Sequence, residues 1–515
     1  MQFKIMVLIL TSLFLLLCCT CGAEKKLIGK ARESKTIEGY EKYLSEYEKG
    51  EYIEEAKESI KRLKFDQKRD SSFRSLINHL KDGFNQTAAN LKIYPSEKVL
   101  MGTPVKITMN NLLPDKKIIL HALRKRWGGL IYSYANFQSD ANGQVFLNRS
   151  KPINGTYSGI DSLGIFWSMS WPSQYNLELP FKIDSLKQNT IYFYIEAGNK
   201  IIATGELELL DRLSHIVTEK IDKHNLVADF HFPKDKKNLP VLILVGGGSK
   251  GEYEWINQMT QIIASHGYAT VTLPYNNVTP LPKYLENIPL EYFFDAIDWI
   301  KQKPMIDPEK IIIAGGSRGG ELALLLASLD PDITGVIAIE PSHVVWQGLP
   351  HNPFNIIWPK ASWTLHGKSL PYMKHKFHWP TIWKFINGGR QIEMMNIHEE
   401  PIKDRTKVEK ALIKVENING PILFIAGKAD CVWPSYKMCR IMEGRLDSLQ
   451  FKYPVQGLYY NNTGHMVIGP NLWPTIDYKY EETKFGGTDS ANANSQIDSW
   501  NRMMEFLKTY FPTDI

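Results

Sequence analysis

Ser317 stands in Gly315-Gly316-Ser317-Arg318-Gly319, behind the run Ile311-Ile312-Ile313 and ahead of the Leu/Ala-rich stretch Glu321 to Ser328. The β-branched run reads as a buried strand and the stretch after it as a helix. A G-x-S-x-G pattern between strand and helix forms a tight, strained turn. Its glycines let the backbones approach, and it lifts the serine Oγ clear of the sheet. The first N–H groups of the helix then face any oxyanion formed beside it. This is the chemistry of an activated nucleophile, and it needs an acid and a base downstream. After His398 only His465 remains, on the loop Asn461-Asn462-Thr463-Gly464-His465-Met466. The strand-like run Pro421 to Gly427 ends in Lys428-Ala429-Asp430, while Glu340 ends the run Val336 to Ile339 and is the second candidate acid. Asp430 is preferred on chain order, and because the interval to His465 has room for one helix and one strand.

The elements that must position these residues alternate. Leu239 to Val245 reads as a buried strand, Trp255 to His266 as a helix, Tyr268 to Pro274 as a strand and Leu290 to Lys301 as a helix. Such alternation predicts a parallel, doubly wound α/β sheet beginning near Asn225. The first strand runs into Gly246-Gly247-Gly248-Ser249-Lys250-Gly251. Backbone N–H groups of Gly248 or Ser249, with that of Arg318, are the candidate oxyanion donors. The loop is not read as a nucleotide site, because no Lys-Ser/Thr follows at the required spacing. Between Pro341 and Asn419 the alternation lapses, and residues 341–419 read as a cap. It holds Trp346, Trp358, Trp363, Trp379 and Trp383 beside His343, His351, His366, His375 and His378. The aromatics suggest an apolar acyl or aryl pocket. The histidines lack the Cys or carboxylate company of a metal site, so neither metal nor cofactor is expected.

Gly315-Gly316-Ser317-Arg318-Gly319-Gly320-Glu321-Leu322-Ala323, Gly427-Lys428-Ala429-Asp430-Cys431-Val432-Trp433 and Gly464-His465 resemble the acyl-CoA thioester hydrolase / bile acid-CoA:amino acid N-acyltransferase family of α/β-hydrolases. So does Gly486-Gly487-Thr488 with Ala491, Ala493, Asp498, Trp500 and Phe506. Upstream, Val105-Lys106-Ile107, Leu112-Leu113-Pro114, Gly155 to Gly159 and Leu163 to Ser168 look like its N-terminal β-domain. The resemblance covers residues 90 to 515. It implies a small-molecule acyl ester or thioester substrate and a Ser317-Asp430-His465 triad. Members that transfer acyl groups to amino acids carry Cys at the nucleophile, so Ser317 implies hydrolysis.

At 515 residues the chain is long enough for two or more domains. Its net charge of +6 is spread without a basic block, which argues against a nucleic-acid partner. Residues 90–215 show short alternating runs and the hairpin signal Asn142-Gly143, and read as a β-sandwich. Residues 33–65 read as a helical hairpin similar to a single tetratricopeptide-like repeat, which either docks on the body or offers a protein-binding face; docking is the simpler reading. Asp66 to Ser72 reads as a charged linker. Residues 1–23 carry Lys4, a short apolar run from Ile5 to Leu17, and then Cys18, Cys19 and Cys21. That run is short against the roughly 20 residues of a membrane span, and predicts a secretory signal or a lipoprotein leader. The mature protein is therefore expected outside the cytosol: periplasmic, lipid-anchored to the envelope or secreted. Cys431 and Cys439 would be its only cysteines. A glycan on the sequon at Asn461 would obstruct the base, which favours a bacterial envelope. Export conflicts with acyl-CoA, a cytosolic metabolite, so the leaving group stays open. Two rival readings share these residues: an exported serine peptidase, and a non-catalytic envelope binding protein.

Overall fold

The computed structural model describes residues 23–83, 87–126, 129–172, 179–223, 226–248, 252–349, 358–386, 392–470 and 483–513. The leader and its cysteines through Cys21, together with Ser249 and His351, lie outside the described residues. Among those described, no helix is long and apolar enough to cross a membrane.

An eight-stranded sheet carries the C-terminal half. Its strands, numbered in chain order, are β1 Ile216–Lys223, β2 Leu226–Pro233, β3 Leu239–Val245, β4 Ala269–Thr272, β5 Ile306–Gly316, β6 Ile333–Ile339, β7 Ile422–Gly427 and β8 Val455–Tyr460. They lie in the order β1-β2-β4-β3-β5-β6-β7-β8. From β4 to β8 every pairing is parallel, and β2 runs antiparallel to both β1 and β4. Continuous apolar runs suit strands covered on both faces. Ile311, Ile312 and Ile313 are buried, as is every residue of β7. The covering helices are α1 Glu252–Ala264, α2 Glu291–Lys301, α3 Arg318–Leu329, α4 Ser435–Ser448 and α5 Asp489–Tyr510. This is an α/β-hydrolase sheet. It starts at Ile216 rather than near Asn225, because β1 is a polar strand at the sheet edge without an apolar run to reveal it.

Before it lies a β-rich domain of two sheets. One orders Lys98–Leu100, Lys200–Leu210, Thr190–Ala197, Lys117–Arg126, Gly129–Gln138 and Asn154–Gly155; the other orders Asn90–Tyr94, Lys106–Asn110 and Val145–Phe146. Asn142-Gly143 does not close a hairpin. Gly143, at φ +68°, turns the chain from Gln138 in the first sheet to Val145 in the second. The reason is visible in the pairing: Gly129–Gln138 joins Lys117–Arg126, while Val145 and Phe146 join Lys106–Asn110.

Residues 66–72 are helix, not linker. The helix Ile53–Lys81 runs through them and follows Ile37–Glu46. The charges misled because they pair on the helix itself. Arg69, almost fully buried, binds Asp66 and Asp70 and donates to Ser170 Oγ at 2.6 Å. Beyond it Phe73, Leu76 and Ile77 pack with Leu123, Leu130 and Tyr132 of the β-domain.

Candidate active site

Ser317 follows the last residue of β5 with φ +56° and ψ −118°, a region that L-residues rarely adopt, and α3 begins at the next residue. Its N–H is spent on Ile339 O at 2.8 Å, and its carbonyl accepts Glu321 N–H at 3.1 Å. The flanking glycines are steric necessities. A Cβ on Gly315 would stand 2.3 Å from Gly319 O, and one on Gly319 would stand 2.4 Å from Gly246 O. The turn can therefore press α3 against the end of β3.

Asp430 and His465 follow the C-terminal ends of β7 and β8, so both lie on the sheet edge that carries Ser317. His465 Nδ1 is 2.8 Å from Asp430 Oδ2, and both side chains are buried. Asp430 Oδ1 accepts the N–H groups of Val432 at 2.8 Å and Trp433 at 3.3 Å, and Oδ2 also accepts Ser435 Oγ–H at 2.7 Å. With Nδ1–H given to the carboxylate, Nε2 is left as the basic ring nitrogen.

His465 is fixed from behind. His465 N–H donates to Phe485 O at 2.8 Å, and its ring stacks on the Phe485 ring at 6.0 Å. Gly486 and Gly487 have φ of +84° and +74°. A Cβ on Gly486 would stand 2.1 Å from Ala429 O, next to Asp430 in the chain. Asn492, on α5, accepts Gly464 N–H at 2.8 Å and donates to Gly486 O at 3.2 Å. The paired glycines thus let one segment press on the Asp430 loop and the His465 loop together. Residue-level reasoning had no signal for this clamp, which entered the reading only through the family motif.

Glu340 does not bond the imidazole. It lies behind Asp430, with Oε1 accepting Gly427 N–H at 2.9 Å and Oε2 against Ser435 Oγ. Burial and then the neighbouring Asp430 push its carboxyl well above the usual range. Glu340, Asp430 and His465 offer oxygen and nitrogen atoms within 4.8 Å of one another. Those atoms already serve each other: Asp430 Oδ2 takes both the Ser435 hydroxyl and the His465 N–H.

Of the three oxyanion candidates, Arg318 has the first N–H of α3, which lacks an intrahelical acceptor. Gly248 is beside it: a Cβ there would stand 3.5 Å from Arg318 Cγ and 2.5 Å from Leu349 Cδ1. Ser249 lies outside the described residues. The Arg318 side chain has a task the sequence did not disclose. Buried, it pairs with Glu321 Oε2 at 2.6 Å and donates to Trp346 O at 3.2 Å, Gln347 O at 3.0 Å and Ser362 Oγ. Glu321 in turn accepts Trp363 Nε1–H at 2.9 Å. Burial, offset by Arg318, pushes Glu321 up to about 7. The Arg-x-x-Glu spacing on the elbow helix was the available signal.

The cap aromatics do not form one apolar lining. Trp346 and Trp363 are fully buried and bond Ser342 Oγ and Glu321, whereas Trp358, Trp379 and Trp383 are more than half exposed. The histidines scatter too. His366 is exposed, His378 meets Thr381 Oγ1 at 2.8 Å, and His343 is buried. His375 packs edge-on against His398, 4.7 Å between ring centroids. Cys431 and Cys439 are both free thiols.

Similarity to known proteins covers both halves. The family "BAAT / Acyl-CoA thioester hydrolase C terminal" matches residues 288–512, and "Acyl-CoA thioester hydrolase/BAAT N-terminal region" matches residues 102–200. Acyl-coenzyme A thioesterase 6 of Mus musculus is 26% identical over 448 residues, spanning 82% of this chain and 97% of its own. Peroxisomal succinyl-coenzyme A thioesterase of Mus musculus is 24% identical over 431 residues, spanning 82% and 96%. Among solved structures, the α/β-hydrolase GrgF from Penicillium overlaps 57% of this chain and 98% of its own, at 17% identity and a TM-score of 0.34. With its strand order, elbow and both matched regions, this chain belongs to the acyl-CoA thioester hydrolase/BAAT family of α/β-hydrolases.

Proposed function

We propose that the protein is a serine hydrolase that cleaves acyl thioesters or esters through Ser317, Asp430 and His465 and an acyl-enzyme intermediate. The observation that carries this is the buried Asp430–His465 contact at 2.8 Å on the sheet edge that ends in the strained Ser317 turn. His465 Nε2 takes the proton of Ser317 Oγ as it attacks the carbonyl, and Asp430 stabilises the imidazolium that forms. Backbone N–H groups of Arg318 and Gly248 receive the oxyanion, each such donor being worth about 3–4 kcal/mol. The imidazolium gives its proton to the leaving thiolate or alkoxide. Water, activated by the same imidazole, then releases the acyl group.

The substrate class follows from the family, whose relatives named above are acyl-CoA thioesterases. Location outside the cytosol belongs to the same proposal, on the strength of the leader composition. Turnover of a panel of acyl-CoAs, p-nitrophenyl esters and peptide amides by the mature chain tests the activity. Thioester or ester cleavage that vanishes in Ser317→Ala is expected, and cleavage of amides alone would replace the reading with a peptidase. Cell fractionation with N-terminal sequencing tests the location: an intact Met1 in a cytosolic pool would refute export and make acyl-CoA the leading substrate.

A further inference from the structure

Glu340 is about 1% exposed, one residue past the end of β6, in a setting that fixes where protons lie. Ser435 Oγ is in hydrogen-bond reach of two carboxyl oxygens, Glu340 Oε2 and, at 2.7 Å, Asp430 Oδ2. A serine hydroxyl has one proton to give. Were both carboxyls ionised, one oxygen would face the Ser435 lone pairs with no proton between them, and two negative charges would share a buried space. A single proton on the pair removes both penalties.

Its placement follows from the other donors. Asp430 receives the N–H groups of Val432, Trp433 and His465, whereas among the described residues Glu340 receives only that of Gly427. The anion belongs where the donors converge, and the proton on the other carboxyl. Glu340 Oε2–H then donates to Ser435 Oγ, Ser435 Oγ–H donates to Asp430 Oδ2, and every polar atom of the cluster is satisfied.

We propose that Glu340, kept as a neutral carboxylic acid, is a positioning residue that fixes the catalytic aspartate through Ser435. The inference rests on the hydrolytic reading of Ser317, Asp430 and His465. Burial, with Asp430 second, pushes the Glu340 carboxyl up, in keeping with a retained proton. The other titratable groups around it are His465 and the buried Cys439 thiol on α4, which is itself raised, by burial first and Glu340 second. Loss of the Glu340 proton at alkaline pH would put a second charge behind Asp430 and turn the Ser435 hydroxyl away from it. Turnover should therefore have an alkaline limb that belongs to Glu340.

The test joins a proton readout to kinetics. The infrared difference spectrum of wild type minus Glu340→Gln at neutral pH should contain a protonated-carboxyl C=O band. A glutamine amide can donate to Ser435 and accept from Gly427, so Glu340→Gln should keep kcat within about threefold and flatten the alkaline limb. Glu340→Ala and Ser435→Ala should lower kcat about 10- to 100-fold, the usual range for a group that orients a catalytic one, with KM changed less than about twofold. If Glu340→Ala fails to fold, Ser435→Ala and the infrared band decide. Absence of the band, or a loss above about 100-fold in Glu340→Gln, would show an ionised Glu340 and overturn the proposal. A wild type that cleaves no ester or thioester would instead remove the hydrolytic reading, while the band would still report where the proton lies.

Discussion

At the scale of single residues, Asp430 meets the imidazole through Nδ1, and that contact sets what a one-atom change should do. Asp430→Asn would offer an N–H to Nδ1 and favour the wrong tautomer. We expect kcat to fall about 10⁴-fold with little change in the thermal midpoint, read by steady-state turnover beside calorimetry. Ser317→Cys tests the reaction branch. A thioester intermediate passes its acyl group to amines more readily than an oxygen ester does. With glycine or taurine present, mass spectrometry should find more amide from the variant than from wild type. Abundant amide from the wild type would refute hydrolysis as its reaction. The serine, its strand and its helix could be read because the turn admits so few residue types. Asp430 and His465 could be paired from chain order alone, since only one histidine remains after His398. Ser435 could not be read: its hydroxyl matters only because folding brings Glu340, 95 positions upstream, to the side of it opposite Asp430.

At the scale of elements, the clamp through Gly486 and Gly487 is the most exacting fit near the site. Gly486→Ala would drive a Cβ to 2.1 Å from Ala429 O at a φ of +84°, so the segment must shift. We expect about 1–3 kcal/mol of lost stability and at least a tenfold fall in kcat, measured by urea denaturation and turnover. The cap gives a pH prediction. Burial lowers His343 and His398 to about 4 from an ordinary value of 6.5, and lowers His375 well below it. The unfolded chain therefore binds more protons than the folded one from pH 6.5 down to about 4, and stability is lost as pH falls through that window. Each of the first two histidines accounts for up to about 3 kcal/mol of that loss. In His343→Leu the urea midpoint should fall less between pH 7 and 5 than in wild type. Central strands were legible because unbroken Ile/Val runs have little alternative to a twice-covered sheet. The strand Gly129–Gln138 and β1 were not: one is rich in Tyr, Ser and Asn, the other in charge.

At the scale of the whole molecule, the helix Ile53–Lys81 and the β-domain are joined through Phe73, Leu76, Ile77 and the buried Arg69. Phe73→Ala should cost about 3–5 kcal/mol, locally, and hydrogen exchange of residues 66–81 should rise while kcat stays near wild type. Its partner residues lie about fifty positions downstream, which is why local pattern suggested a linker. The Arg318 side chain joins a different pair of parts. One guanidinium holds Glu321, one turn past Ser317, and the carbonyls of Trp346 and Gln347 in the cap. The cap around Trp346 and Gln347 is therefore riveted to the helix that follows Ser317. A substitution that shifts Trp346 or Gln347 should accordingly be felt at the Ser317 turn, through the shared guanidinium.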